Sequence, residues 1–88
     1  IDDGVIVNTG ACVEHDCHVG AFAHVAPGAA LCGRVTVGEL TLIGVGSSVR
    51  PQIRIGRRVV VGAGAVVVED GPDDVTVGGD PAKALRRR

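Results

Sequence analysis

Aromatic residues are almost absent from this 88-residue chain: Phe22 is the only one, and there is no tryptophan, tyrosine or methionine. Since 45% of the residues are hydrophobic, any core must be built from Val, Ile, Leu, Ala and other small side chains. The length allows one domain at most, and so small a chain is only marginally stable by itself. Because it begins at Ile1, we expect an excised domain or a trimmed product.

A strong charge of either sign is also missing, since the formal net charge is −1. This balance does not favour nucleic acid or an anionic membrane as a partner. No apolar run is long enough to span a bilayer. The three cysteines, Cys12, Cys17 and Cys32, are odd in number and lack CxxC spacing, which argues against a disulfide framework or a zinc ribbon. We therefore expect reduced thiols and a cytoplasmic location.

A six-residue repeat fills most of the chain. Every sixth residue is aliphatic twelve times in succession: Ile1, Val7, Val13, Val19, Val25, Leu31, Val37, Ile43, Val49, Ile55, Val61 and Val67. A small or β-branched residue recurs two positions earlier and glycine often follows, a pattern that neither a helix nor a simple strand produces. Each hexad predicts a short strand and a bend, with the aliphatic residue pointing inward. Three hexads make a coil, so the repeat predicts about four coils roughly 4.8 Å apart.

The repeat ends near Val67, and the remaining residues predict a different ending. Residues 69–74 contain Gly71-Pro72 and are typical of a loop, and residues 75–77 predict one more short strand. Residues 82–88 are predicted to form a short helical or irregular tail, and no role is assigned to the arginines at 86–88. The first coil has no cap in this sequence, and an uncovered strand edge favours pairing, so we expect an oligomer.

Titratable side chains concentrate in residues 13–24. Glu14, His15 and Asp16 are adjacent, and His18 and His24 follow. Histidine titrates near neutrality and can accept a proton from an attacking amine or hydroxyl, and a neighbouring carboxylate can orient it. The register puts His15 on an outer bend. From spacing alone, both a catalytic base and an ordinary surface histidine stay open.

Residues 7–20, VNTGACVEHDCHVG, resemble the signature of the sialic acid O-acetyltransferase and bacterial UDP-4-amino-sugar N-acetyltransferase family. The resemblance implies a left-handed parallel β-helix, although crossovers are usually right-handed. It implies that His15 is the catalytic base, that Asp16 is its partner, and that Asn8 and His24 lie near the acetyl group and substrate. The activity implied is acetyl transfer from acetyl-CoA to an amine or hydroxyl of a sugar or nucleotide sugar, in a homotrimer and without a metal.

The resemblance also implies a coenzyme A groove along the prism. The matching positions, besides His24, are Gly33, Gly44, Val45, Ala63, Gly64 and Lys83. Gly33 lies one coil after His15, and its amide would serve the acetyl carbonyl, where an oxyanion develops. A glycine that only turns a corner is the other interpretation of Gly33.

Full-length relatives carry an N-terminal nucleotide-sugar-binding domain that this chain lacks, so we expect a single β-helix domain over residues 1–88. A non-catalytic trimeric scaffold is the second hypothesis. A third is a metal enzyme like the γ-type carbonic anhydrases, which share the fold. Their metal histidines include one distant in sequence, whereas His15, His18 and His24 are close together here, so no metal site is expected. Glu14 and His18 receive no role, and Cys17 is predicted to point inward, where a thiol is inert.

Overall fold

A computed structural model describes residues 3–79 and 81 and, for residues 83–87, the backbone. These residues form thirteen strands. They are β1 Ile6–Val7, β2 Cys12–Val13, β3 His18–Val19, β4 His24–Val25, β5 Ala30–Leu31, β6 Thr36–Val37, β7 Leu42–Ile43, β8 Ser48–Val49, β9 Arg54–Ile55, β10 Val60–Val61, β11 Val66–Val67, β12 Val75–Gly78 and β13 Lys83–Arg87. The described residues contain no helix that is long and apolar enough to cross a membrane.

Each of the strands β1 to β8 pairs in parallel with the strand three positions later, which winds the chain into a triangular prism. One face is a six-stranded sheet (β1-β4-β7-β10-β12-β13), the second has four strands (β11-β8-β5-β2) and the third has three (β3-β6-β9). The register joins residues one coil apart, such as Val7 with Val25 and Val25 with Ile43. The predicted fold, a left-handed parallel β-helix of about four coils, is confirmed.

Two-residue turns stack at the three edges of the prism. The His15 corner comprises residues 15–16, 33–34 and 51–52. The Phe22 corner comprises residues 3–4, 21–22, 39–40, 57–58 and 73–74. The Val45 corner comprises residues 9–10, 27–28, 45–46 and 63–64.

The inward aliphatic residues form one continuous core. From Val19 to Val67 each member of the six-residue series is at most 4% exposed, as predicted. Val7 is 41% exposed and Val13 is half-buried, because the described chain places a neighbouring coil on only one side of them. Cys17 packs against the core but is half-buried, so its predicted inward position shields the thiol only in part.

The second residue of each turn has a positive φ angle. Glycine fills this place throughout the Val45 corner, whereas Asp16, Arg34 and Gln52 adopt φ of 58°, 62° and 64° at the His15 corner. The left-handed region costs roughly 1–2 kcal/mol for most residues, and aspartate tolerates it better than most. Bonds between coils offset this cost, since the Arg34 and Gln52 amides donate to the carbonyls of the turn below.

The loop at residues 69–74 closes the last coil of the three-stranded face. Inside the prism, amides donate to carbonyls of the next coil, as Thr36 does to Ile53 at 2.9 Å. On the last coil, the Asp70 carboxylate replaces one of those carbonyls, since the amide of Arg54 donates to Asp70 Oδ1 at 2.8 Å. The amide of Arg57, at the first place of a turn, donates to Asp73 Oδ1 at 2.8 Å. Asp70 and Asp73 therefore accept hydrogen bonds from backbone amides that the last coil would otherwise leave exposed.

An ion pair at the Phe22 corner strengthens the same closure. The Arg58 guanidinium donates two hydrogen bonds to the Asp74 carboxylate, which raises the pKa of Arg58 above its ordinary value. Both side chains are partly exposed, so solvent screens the pair and its contribution is small.

The end of the chain differs from the sequence prediction. Residues 75–77 form a strand as expected, but the helical or irregular tail predicted for residues 82–88 was wrong where the backbone is described. Lys83–Arg87 form β13, antiparallel to β12. The physical reason is the edge of β12, whose unpaired groups gain partners when the chain turns back at Gly79.

We expect Asp70→Ala to lower the free energy of unfolding by about 0.5–2 kcal/mol, by analogy with a lost helix N-cap, since the amide of Arg54 loses its acceptor. Urea denaturation at fixed protein concentration measures this. Asp70→Asn keeps an acceptor oxygen and should cost much less. Equal losses in the two variants would contradict the capping role.

Candidate functional site

His15 is the first residue of its turn, at the edge where the four-stranded and three-stranded faces meet. Its side chain is 72% exposed, and its Nδ1 lies 3.5 Å from Asp16 Oδ2. A carboxylate only accepts hydrogen bonds, so this arrangement favours a proton on Nδ1. The Nε2 atom is then the nitrogen that is free to take a proton from a substrate.

Gly33 occupies the same turn position one coil above His15. A Cβ atom at Gly33 would lie 2.9 Å from His15 Cε1 and 3.0 Å from Nε2. The missing side chain therefore leaves open the space over the imidazole. The Gly33 carbonyl accepts from Gln52, but no described residue accepts from the Gly33 amide. A free N–H group thus lies beside the candidate base.

The free amide of Gly33 follows a rule of these turns: the amide of the first residue of a turn has no carbonyl acceptor on a neighbouring coil. At the Val45 corner, Asn8 Oδ1 accepts from the amide of Thr9 at 2.7 Å, and Pro27 has no N–H. The amides of Val45 and Ala63 have no acceptor among the described residues. Free donors at this corner are therefore confined to two successive coils.

Two of the three glycines of the predicted coenzyme A groove, Gly44 and Gly64, have amides that are already engaged. Gly44 donates to Val61 at 2.9 Å, and Gly64 donates to Val45 at 2.8 Å. A Cβ at Gly44 would clash with the Val61 carbonyl, so this glycine allows close packing of coils. Among the groove residues near the Val45 corner, Val45 and Ala63 have the free amides that a ligand could use.

Asn8 and His24 form a second cluster on the six-stranded face. His24 lies in β4 and is half-buried, and Asn8 follows β1, which pairs with β4. The Asn8 Nδ2 atom is 3.5 Å from His24 Nε2. Within one chain, His15, Asp16 and Gly33 meet at one corner, while this pair lies on a different part of the prism.

The remaining predicted residues contribute little to either cluster. Lys83 has its backbone in β13, and its side chain lies outside the described residues. His18 is exposed on β3 of the three-stranded face. No group of three or more His, Cys, Asp or Glu side chains within the described residues could hold a metal ion.

A pocket of about 380 Å³ opens at the His15 corner, lined by Glu14, His15, Cys32, Gly33, Arg34, Pro51 and Gln52. Glu14 received no role from the sequence, and four of these residues were missed as site residues, Cys32, Arg34, Pro51 and Gln52, although adding one or two coil lengths to residues 14–16 would have found them. Arg34 brings a positive charge and makes no ion pair within the described part of the chain. Glu14 and Arg34 give the pocket one charge of each sign besides His15.

We expect Gly33→Ala to crowd His15 Nε2 without unfolding the protein, because Gly33 does not have a positive φ. Carbethoxylation of His15 by diethyl pyrocarbonate, followed by mass spectrometry, should slow several-fold relative to exposed His18. Gly71→Ala is the matched control, since a Cβ there meets nothing within 4 Å. An unchanged rate in Gly33→Ala would show that Gly33 does not control access to His15.

Known proteins share the repeat and the fold. Residues 34–69 match the family model for the bacterial transferase hexapeptide, six repeats. The acetyltransferase domain of PglB from Neisseria gonorrhoeae is 54% identical, with a TM-score of 0.94 over 94% of this chain and 40% of that one. The same domain has also been solved with acetyl coenzyme A.

Two further proteins extend the comparison. PerB from Caulobacter crescentus, solved with CoA and GDP-perosamine, is 51% identical, with a TM-score of 0.95 over 96% of this chain and 41% of that one. An acyl-[acyl-carrier-protein]–UDP-N-acetylglucosamine O-acyltransferase of Burkholderia thailandensis is 31% identical over 86% of this chain and 32% of the enzyme. The chain thus spans less than half the length of each. Repeat, fold and similarities together identify it as a hexapeptide-repeat β-helix that is similar to sugar acyltransferases.

Proposed function

We propose that this β-helix, a single domain over residues 1–88, is the catalytic part of an acetyl-CoA-dependent sugar acetyltransferase. The observation that carries the proposal is the His15 corner, where an oriented imidazole lies below a free amide at Gly33. Acetyl coenzyme A bound to the PglB domain, and CoA with GDP-perosamine bound to PerB, support the choice of donor and acceptor class.

The reaction is direct transfer between two bound substrates. His15 Nε2 takes a proton from the sugar amine or hydroxyl as that group attacks the thioester carbonyl. Asp16 holds the proton on Nδ1 and stabilises the imidazolium that forms. The Gly33 amide donates to the oxyanion of the tetrahedral intermediate. When the intermediate collapses, the C–S bond breaks, and the CoA thiolate leaves and is protonated. No step requires a metal or a covalent enzyme intermediate.

The acetyl donor fits the Val45 corner. Free amides at Val45 and Ala63, one coil apart, supply donors for the amide-rich arm of coenzyme A. Gly44 lets the two coils pack closely, and Gly64 leaves the space beside them open. Lys83 is proposed to meet a phosphate. The acceptor is proposed to be a nucleotide sugar. Free cysteines at Cys12, Cys17 and Cys32 agree with a cytoplasmic enzyme.

The protein is proposed to be a homotrimer, and the separation of the two clusters supports association. One chain carries His15 with Gly33 at one corner and His24 with the donor-binding amides elsewhere, so the complete site is proposed to form between neighbouring prisms. Exposed apolar side chains, Phe22 at 64% and Leu40 at 51% among them, are unusual for so small a monomer and support association.

Replacing His15 by alanine should lower the rate of acetyl transfer at least a hundredfold, because the base is lost. The measurement is thiol release from acetyl-CoA with GDP-perosamine as the test acceptor, and circular dichroism should be unchanged because the side chain is exposed.

His18→Ala is the matched control, since it removes another exposed histidine from the same segment and should leave the rate unchanged. Equal rates for wild type and His15→Ala would refute the catalytic assignment. A non-catalytic scaffold would instead show no coenzyme A binding in calorimetry.

Sedimentation equilibrium at micromolar concentration should give three times the 8.9 kDa chain mass. Burial of exposed apolar surface between prisms is the physical reason. A folded monomer that still transfers acetyl groups would contradict the proposed trimer and its shared site.

A further inference from the structure

The Asn8 carboxamide is held at both ends. Its Oδ1 atom lies 2.7 Å from the backbone nitrogen of Thr9, and its Nδ2 atom lies 3.5 Å from His24 Nε2. The Thr9 N–H is a donor, so it requires an oxygen and excludes the flipped amide. The direction of the carboxamide is therefore fixed by the backbone and not by the histidine.

This direction determines which nitrogen of His24 carries the proton. An amide NH₂ group donates and cannot accept, so His24 Nε2 must supply the lone pair, and the proton of the neutral ring lies on Nδ1. We propose that Asn8 is a positioning residue that places the single proton of the neutral His24 ring on Nδ1. His24 is then a hydrogen-bond donor and not a second base.

No other described side chain competes with Asn8 for the His24 ring. On the six-stranded face, the neighbours of His24 in register are Ile6 and Leu42, one on each side. Both are apolar, and His24 itself is half-buried. Besides Asn8, no side chain in the described part of the chain forms a hydrogen bond or ion pair with His24, so Asn8 alone among them can select the tautomer.

The two histidines consequently present opposite groups to a ligand. His15 has Nδ1 directed at Asp16 and offers the lone pair of Nε2, whereas His24 has Nε2 directed at Asn8 and offers the N–H of Nδ1. One ring accepts a proton, and the other donates a hydrogen bond to an oxygen. What that oxygen belongs to rests on the proposed function: a substrate carbonyl or hydroxyl next to the reacting group.

Nitrogen-15 NMR tests the tautomer without any substrate. In the uniformly labelled protein, at a pH where imidazoles are neutral, the His24 ring should show a protonated Nδ1 and an unprotonated Nε2. Exposed His18 is the internal reference, and a His24→Gln variant assigns the signals. A ring that is protonated on Nε2, or that averages like His18, would overturn the inference.

Asn8→Asp is the decisive variant. It keeps an oxygen for Thr9 and places a second oxygen, an acceptor, at His24 Nε2, so the His24 proton should move to Nε2. A purely structural role for Asn8 would leave the tautomer unchanged. In Asn8→Ala, which has no group at this position, the signals should approach those of His18. Either variant retaining the wild-type tautomer would contradict the positioning role.

Kinetics separate this inference from the proposed function. If His24 donates from Nδ1, kcat/KM for acetyl transfer should fall about ten- to a hundredfold in Asn8→Asp, as when one donor to a developing charge is lost. Failure of wild type to transfer acetyl groups would reject the proposed function and leave the tautomer result standing. A changed tautomer with unchanged kcat/KM would reject the donor role of His24.

Discussion

The register of one coil on the next is the constraint on which everything else in this protein depends. Hydrogen bonds from amide to carbonyl join residues one coil apart on all three faces, and the buried aliphatic series follows the same spacing. A slip of one residue in a strand would turn its side chains to the opposite side and expose the core. Because the register is fixed, any two residues one coil apart are neighbours, and the candidate site is built from such pairs.

The groups that differ from coil to coil, and that could bind a ligand, lie at the turns of this regular scaffold. Since the first amide of a turn has no partner in the ladder, the residue at that place decides whether a free donor exists. Pro27 and Pro51 remove it, Thr9 has it capped by Asn8, and Gly33 exposes it beside an imidazole. Function therefore depends on substitutions at a few turn positions, while the repeat keeps the backbone between them uniform.

The repeat was sufficient for the coiled architecture, because a six-residue aliphatic series from Ile1 to Val67 can be buried in only a few ways, whereas the left hand of the helix came from the family resemblance. The sequence prediction failed at residues 83–87, because pairing with β12 outweighs the local conformational preference of these residues and no repeat indicates a strand there. The relation of His15 to Gly33 could be predicted from the coil length. Arg34 and Gln52 were missed because a pocket depends on which outward side chains leave space, and the repeat describes only the inward ones. The direction of the Asn8 amide depends on one backbone donor and required coordinates.

The acidic loop at residues 69–74 has a consequence for solubility. Uncovered strand edges recruit strands from other molecules, and short parallel strands of β-branched residues are suited to such stacking. The Asp70 carboxylate occupies part of the last edge of the three-stranded face, and it presents negative charge where an incoming strand would need donors and neutrality. The loop that completes the fold thus also works against fibril growth, so the chain can use a cross-β-like architecture and still remain a discrete particle.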